Sequence, residues 1–186
     1  LISSDLTKDE RETIRGERRK IFTPPPVTLE RWWEMPRKWT FQMPKVRSWI
    51  ESRLEGKTLN LFGGITRLNG EIIYNDLNEE LPADLRRDAY DLSKWTDLGQ
   101  SFDTVVFDPP YTAYQAVKTY GRRAQLVSHA RDVVEFVLRP GGRVISLGFN
   151  STGMSESRGF YKEAIALVNC GGSHNDYLLL SERHIG

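Results

Sequence analysis

The densest chemistry in the chain lies in four consecutive residues, Asp108, Pro109, Pro110 and Tyr111. Asp108 brings a carboxylate that can accept hydrogen bonds. The two prolines lack an N–H, fix their own φ and force the residue before each into extended geometry. The carboxylate and the proline carbonyls are therefore held in a stiff turn, and Tyr111 adds a ring that can lie flat on a planar substrate. This set suits alkylation of an amine conjugated to a ring. Such a nitrogen is a poor nucleophile because its lone pair is delocalised. Two acceptors binding its hydrogens, Asp108 and the Pro109 carbonyl, would draw it toward tetrahedral geometry by positioning and electrostatics alone. A tyrosine stacked on the base adds about 1–3 kcal/mol.

Three strands must position these groups. Residues 104–107, Thr-Val-Val-Phe, are β-branched and aromatic and predict a strand buried on both faces, delivering Asp108 at its end. Residues 57–64, Lys-Thr-Leu-Asn-Leu-Phe-Gly-Gly, predict a strand running into two glycines. Glycine at a strand's carboxyl end lets backbone approach a ligand closely, where open α/β sheets bind cofactors. Residues 72–74 predict a further strand ending in Asn75-Asp76. An acid in that place can accept both ribose hydroxyls of a nucleoside, so Asp76 is the candidate, with Asn78 in reserve.

Asp-Pro-Pro-Tyr after a hydrophobic strand resembles the catalytic motif of S-adenosylmethionine-dependent amino-methyltransferases. It is typical there of N6-adenine DNA methyltransferases and of some N2-guanine RNA methyltransferases. The stretch through Phe62-Gly63-Gly64 is similar to the family's cofactor loop. It departs at Asn60, where an Asp is usual, and at Ile65-Thr66, which replace a small residue and a final glycine. The resemblance implies a catalytic set of Asp108, Pro109, Pro110 and Tyr111. It implies S-adenosyl-L-methionine as cofactor, bound by Asn60, Phe62, Gly63, Gly64, Asp76, Asn78, Asp88, Ala89 and Asp108, with Asp88 on the adenine amino group. Thr40 and Phe41 would meet the methionine end. The implied fold is α/β, a Rossmann-like class I methyltransferase with a mostly parallel sheet and a C-terminal antiparallel hairpin.

The rest of the chain is consistent with one domain of 186 residues. Residues 1–50 hold 11 Lys/Arg against 7 Asp/Glu, a basic start on a mildly acidic body. Residues 1–30, with Pro24-Pro25-Pro26 near their end, are expected to form a basic arm and linker, and residues 31–186 the catalytic domain. Four tryptophans, Trp32, Trp33, Trp39 and Trp49, are interleaved with basic residues. Such a pattern either tracks phosphates and stacks bases or packs the segment onto the domain. Arg37 and Lys38, with Tyr114, Arg122 and Arg123 beyond the catalytic turn, are the candidate nucleic-acid contacts. Helices are expected at 44–54, 128–138 and 160–168, a strand at 143–147, and a hairpin across 168–180. Cys170 is the only cysteine and His129, His174 and His184 are scattered, so no metal site is expected. No apolar run reaches the length of a membrane span and no secretion signal is visible, which points to a cytoplasmic setting and no membrane partner.

The function these features point to is methyl transfer to adenine N6 in DNA, on a base flipped out of the duplex. Only six residues follow Leu180, so sequence specificity is expected from the tryptophan-rich segment or from a partner subunit. Two alternatives stand beside it: an RNA methyltransferase acting on adenine N6 or guanine N2, and a non-catalytic nucleic-acid-binding subunit. The altered residues Asn60, Ile65 and Thr66 favour the last, and the intact catalytic motif opposes it.

Overall fold

The computed structural model describes residues 23–110, 127–172 and 174–186. Among them are seven strands: β1 (Thr28–Trp33), β2 (Thr58–Asn60), β3 (Ile72–Tyr74), β4 (Phe102–Phe107), β5 (Leu138–Gly148), β6 (Phe160–Asn169) and β7 (Tyr177–His184). Two α-helices join them, α1 (Pro44–Glu51) and α2 (Val127–Val137), with short 3-10 turns at Thr40–Gln42, Leu92–Leu98 and Glu156–Arg158. The sheet order is β1-β6-β7-β5-β4-β2-β3. Only β7 runs against its neighbours, so the sheet is mostly parallel and closes in an antiparallel β6–β7 hairpin. The fold class expected from the sequence is the one observed.

Alternation along the central strands splits the core in two. Leu59, Leu61, Val105 and Val144 face α2, where Ala130, Val133, Val134 and Val137 meet them. Val106, Ile145 and Leu147 face α1, against Val46, Trp49 and Ile50. β4 is buried on both faces, as its composition requires. α2 passes straight into β5. The register jumps from Phe102↔Leu138 to Thr104↔Arg143, so the Arg-Pro-Gly-Gly piece bulges out beside Asp103. Gly141 there has φ +73°, and Arg139 Nη1 reaches Asp103 Oδ1 at 2.7 Å.

Two expectations need correction. Residues 160–168 are a strand rather than a helix. Their alanines favour helix locally, but Ala164, Ala166, Val168 and Cys170 are buried at every second position. Pairing with both β1 and β7 overrides the propensity. The start of the tryptophan-rich segment is also sheet: β1 begins at Thr28, inside the stretch expected as linker, and pairs in parallel with β6. Its tryptophans divide. Trp49 is buried and its Nε1 donates to Glu30 Oε1 at 2.9 Å, Trp32 packs on the α1 cluster, and Trp33 is 56% exposed. No helix among the described residues is long and apolar enough to cross a membrane.

α1 begins at Pro44 without a side-chain cap from its own N-cap residue, Met43. Glu34, buried just past the end of β1, supplies the missing acceptors. Its Oε1 takes the Lys45 amide at 2.9 Å and its Oε2 the Val46 amide at 3.0 Å. Replacing Glu34 by Ala orphans two donors at a buried helix start and should cost about 1–3 kcal/mol. Urea unfolding measures this; an unchanged midpoint would show that the helix start does not depend on Glu34.

Candidate active site

The carboxyl ends of β2, β3 and β4 come together because the sheet is parallel there. Asn75, the residue after β3, ties them. Its Nδ2 donates to the carbonyls of Leu61 and Arg87, both at 3.0 Å, and its Oδ1 accepts the Arg87 amide at 2.8 Å. Gly63 then runs so close to β3 that a Cβ would lie 3.2 Å from the Asn75 carbonyl, which the Gly63 amide already binds at 2.7 Å. Gly64 turns the chain with φ +58°, and its amide donates to Asp76 Oδ2 at 2.9 Å. The other oxygen of Asp76 accepts the Asn78 amide at 3.0 Å. Asp76 is thereby a buried carboxylate, 2% exposed, held by two backbone donors.

Gly63, Gly64 and Asp76 border an open cavity of about 190 Å³. Of the residues expected to act, Asp108, Pro109, Pro110, Phe62, Gly63, Gly64, Asp76, Thr40, Phe41 and Lys38 line it. Trp39, Ile65, Thr66 and Leu81 line it as well. Ile65 and Thr66 are the residues that depart from the family's loop, yet the left-handed turn at Gly64 brings them to the wall. Their signal in the sequence was position, two residues beyond paired glycines, rather than type. Trp39 enters because Thr40–Gln42 folds back over the loop, placing its ring 3.6 Å from where a Cβ on Gly64 would sit.

Other candidates lie beside the cavity. Asp88 accepts the Tyr90 amide at 2.9 Å and Ala89 is buried. Neither lines the cavity, but the Tyr90 ring meets the Phe62 ring at 5.9 Å, and Phe62 does. Burial, then the nearby Asp88 carboxylate, pushes the Tyr90 phenol up to about 12. Asn78 acts on Asp76 through its amide rather than facing the cavity. Arg37 is exposed and outside the lining. Tyr111, Tyr114, Arg122 and Arg123 lie outside the described residues.

Behind the Asp108 turn, Tyr177 donates to Met43 Sδ at 3.3 Å. Burial raises its phenol well above the ordinary value, with smaller contributions from Cys170, Glu34 and Asp108, so it stays neutral at working pH. Asn60 lies on the α1 side of β2, paired with Val106, and is fully buried. Both polar atoms of its side chain lack a partner, as does the buried Thr66 Oγ1 on the cavity wall. Among the described residues no group of three or more His, Cys, Asp or Glu could hold a metal ion.

No protein-family model matches the sequence, and no curated protein does. Solved structures match in fold. TrmN from Thermus thermophilus superposes with a TM-score of 0.52 at 17% identity, over 76% of this chain and 49% of that one. The chain thus spans about half the length of TrmN. A Burkholderia thailandensis 1,6-didemethyltoxoflavin-N1-methyltransferase, solved with 1,6-didemethyltoxoflavin and S-adenosylhomocysteine, gives 0.49 at 15% identity, over 75% and 76% of the two chains. A SAM-dependent methyltransferase from Methanosarcina mazei gives 0.49 at 11%, over 73% and 96%. At these identities the likeness is one of fold, a Rossmann-like α/β sheet.

An unpartnered buried amide is a stability cost that function can explain. Asn60→Leu, similar in shape and apolar, should leave stability unchanged or raise it by about 1–3 kcal/mol. Denaturant midpoints decide; a clear loss of stability would show that the Asn60 amide is satisfied in the folded protein.

Proposed function

We propose that this chain is an S-adenosylmethionine-dependent methyltransferase acting on the exocyclic amine of adenine in DNA. The observation that carries the reading is convergence. The turn with Asp108, Pro109 and Pro110, the glycine loop and the buried Asp76 lie far apart in sequence and share one cavity at the strands' carboxyl ends.

The residues present fit a nucleoside cofactor. Asp76 offers a buried, prealigned carboxylate to ribose hydroxyls, Gly63 and Gly64 allow close backbone approach, and Phe62 and Phe41 give apolar walls. When bound, S-adenosylmethionine would supply an electrophilic methyl group, whose bond to the sulfonium sulfur breaks on transfer to leave S-adenosylhomocysteine. Asp108 and the Pro109 carbonyl accept the two hydrogens of the target amine and turn its lone pair toward that group. The proton released as the amine is alkylated leaves by way of the Asp108 carboxylate to solvent. Tyr111 stacks on the flipped base.

A nucleic-acid substrate is supported by the rim. Trp33, 56% exposed at the end of β1, and Phe149, 53% exposed just past β5, both stand on the edge of the sheet that carries the cavity. Bases can stack on such rings, and Arg37, Arg122 and Arg123 with the basic residues before position 30 can meet phosphates. In this reading the catalytic domain includes β1 and so begins by Thr28, before the expected start at 31.

The test is mass spectrometry of digested DNA and RNA after incubation with isotope-labelled cofactor. N6-methyladenine in DNA is expected; label in RNA alone, or in neither, would contradict the assignment. Asp108→Ala should lower transfer by about 10²–10³-fold, because it removes a contact made to the reacting amine. A requirement for divalent metal in the transfer step would contradict the role given to Asp108.

A further inference from the structure

No helix or strand forms between Tyr74 and Leu92, yet this stretch supplies Asp76 and Leu81 to the cavity wall. Its base is closed by two bonds. The Asp76 amide donates to the Leu85 carbonyl at 3.2 Å, and the Arg87 amide donates to Asn75 Oδ1 at 2.8 Å. Arg86 stands between these anchors, so its backbone is fixed before its side chain is placed. That side chain turns back into the loop. Nη1 donates to the carbonyl of Asp76 at 3.1 Å and to that of Asn78, and Nη2 donates to the carbonyl of Leu81. A guanidinium is a rigid planar fork, so it holds these three carbonyls in one arrangement; a compact ammonium has no such fork.

The turn that Arg86 holds by its carbonyls serves Asp76 with an amide. Asn78 gives its carbonyl to Arg86 and its N–H to Asp76 Oδ1 at 3.0 Å. Asp76 is itself gripped at the carbonyl by Arg86, while its carboxylate is set by the amides of Gly64 and Asn78. We infer that Arg86 is a positioning residue for the Asp76 carboxylate, acting on the ribose of a bound nucleoside through the backbone of residues 76–81. Arg86 does not line the cavity and makes no contact with the ligand in this role. The inference rests on the reading of Asp76 as the acceptor of ribose hydroxyls. Arg86 is exposed, so water can replace it on the three carbonyls and the fold loses little without it. What is lost is the fixed set of peptide planes on which the aim of the carboxylate depends.

Two nucleosides competed against labelled S-adenosylhomocysteine test it. Adenosine and 2′,3′-dideoxyadenosine differ only in the hydroxyls assigned to Asp76, so the ratio of their affinities reports on that contact and not on general loosening of the loop. Wild-type protein should prefer adenosine. Arg86→Ala should weaken adenosine by about three- to tenfold and leave 2′,3′-dideoxyadenosine within about twofold, with a urea midpoint close to wild type. Arg86→Lys, which keeps the charge without the fork, should lose nearly as much. An equal loss for both nucleosides, an unchanged adenosine affinity or a large fall in the urea midpoint would overturn the positioning role. Full recovery by Arg86→Lys would overturn it too, because charge alone would then account for the effect. Each of these results overturns this inference alone. A wild-type protein that binds S-adenosylhomocysteine but does not distinguish the two nucleosides would overturn the role of Asp76, and one that binds no nucleoside would overturn the cofactor reading, the inference falling with either.

Discussion

The site depends on the side-chain amide of Asn75. A parallel sheet leaves the carboxyl ends of its strands without partners from neighbouring turns, and helices usually steady them. Here β2 and β3 are joined by residues 61–71 with no helix between them, so something else must hold the loop ends. Asn75 uses both amide hydrogens and its oxygen to bind Leu61 and Arg87, fixing the exits of β2 and β3 against residues 85–87. With those exits fixed, Gly63 can approach β3, Gly64 can turn, and Asp76 receives its two amides. A buried amide with every group satisfied is rigid, and that rigidity is what aligns a carboxylate before any ligand arrives.

The same economy recurs elsewhere. A carboxylate from the end of β1 starts α1 in place of a local cap. Across the sheet, residues 149–159 cross from β5 to β6 with only one short turn, and Glu182 anchors them. It accepts the Met154 amide at 2.8 Å, and Gly153 passes so close that any Cβ would collide with the carboxylate. Burial raises the Glu182 carboxyl, offset in part by the Met154 amide, Lys162 and Arg131. Native protein therefore holds this proton to higher pH than unfolded chain does. Its contribution is fully present below the ordinary carboxylate value and is lost as pH rises through the raised one.

Much of the site was legible because its signals are backbone demands. Two prolines after an acid at a strand end permit few conformations, and they do follow β4; of the paired glycines, Gly63 lies close against the Asn75 carbonyl and Gly64 turns the chain. The fold class came with the resemblance carried by the Asp108 turn and the glycine loop, and the sheet order agrees with it. Residues 160–169 were not legible, because alanine favours helix and only pairing with β1 and β7 reveals the strand. The tryptophan pattern left base stacking and packing open; Trp49 and Trp32 pack, and Trp39 lines the cavity. The difference between Arg37 and Lys38 was invisible for a simpler reason: adjacent residues in an irregular segment point in directions that no periodicity predicts.

In the proposed function the glycine loop, Asp76 and the Asp108 turn form one nucleoside site. Backbone amide shifts in an NMR titration with S-adenosylhomocysteine test it most directly. The account predicts saturable shifts concentrated at Gly63, Gly64, Thr66, Asp76 and Asp108, with the β6–β7 strands unmoved. Shifts confined to another part of the sheet, or none at millimolar ligand, would contradict it.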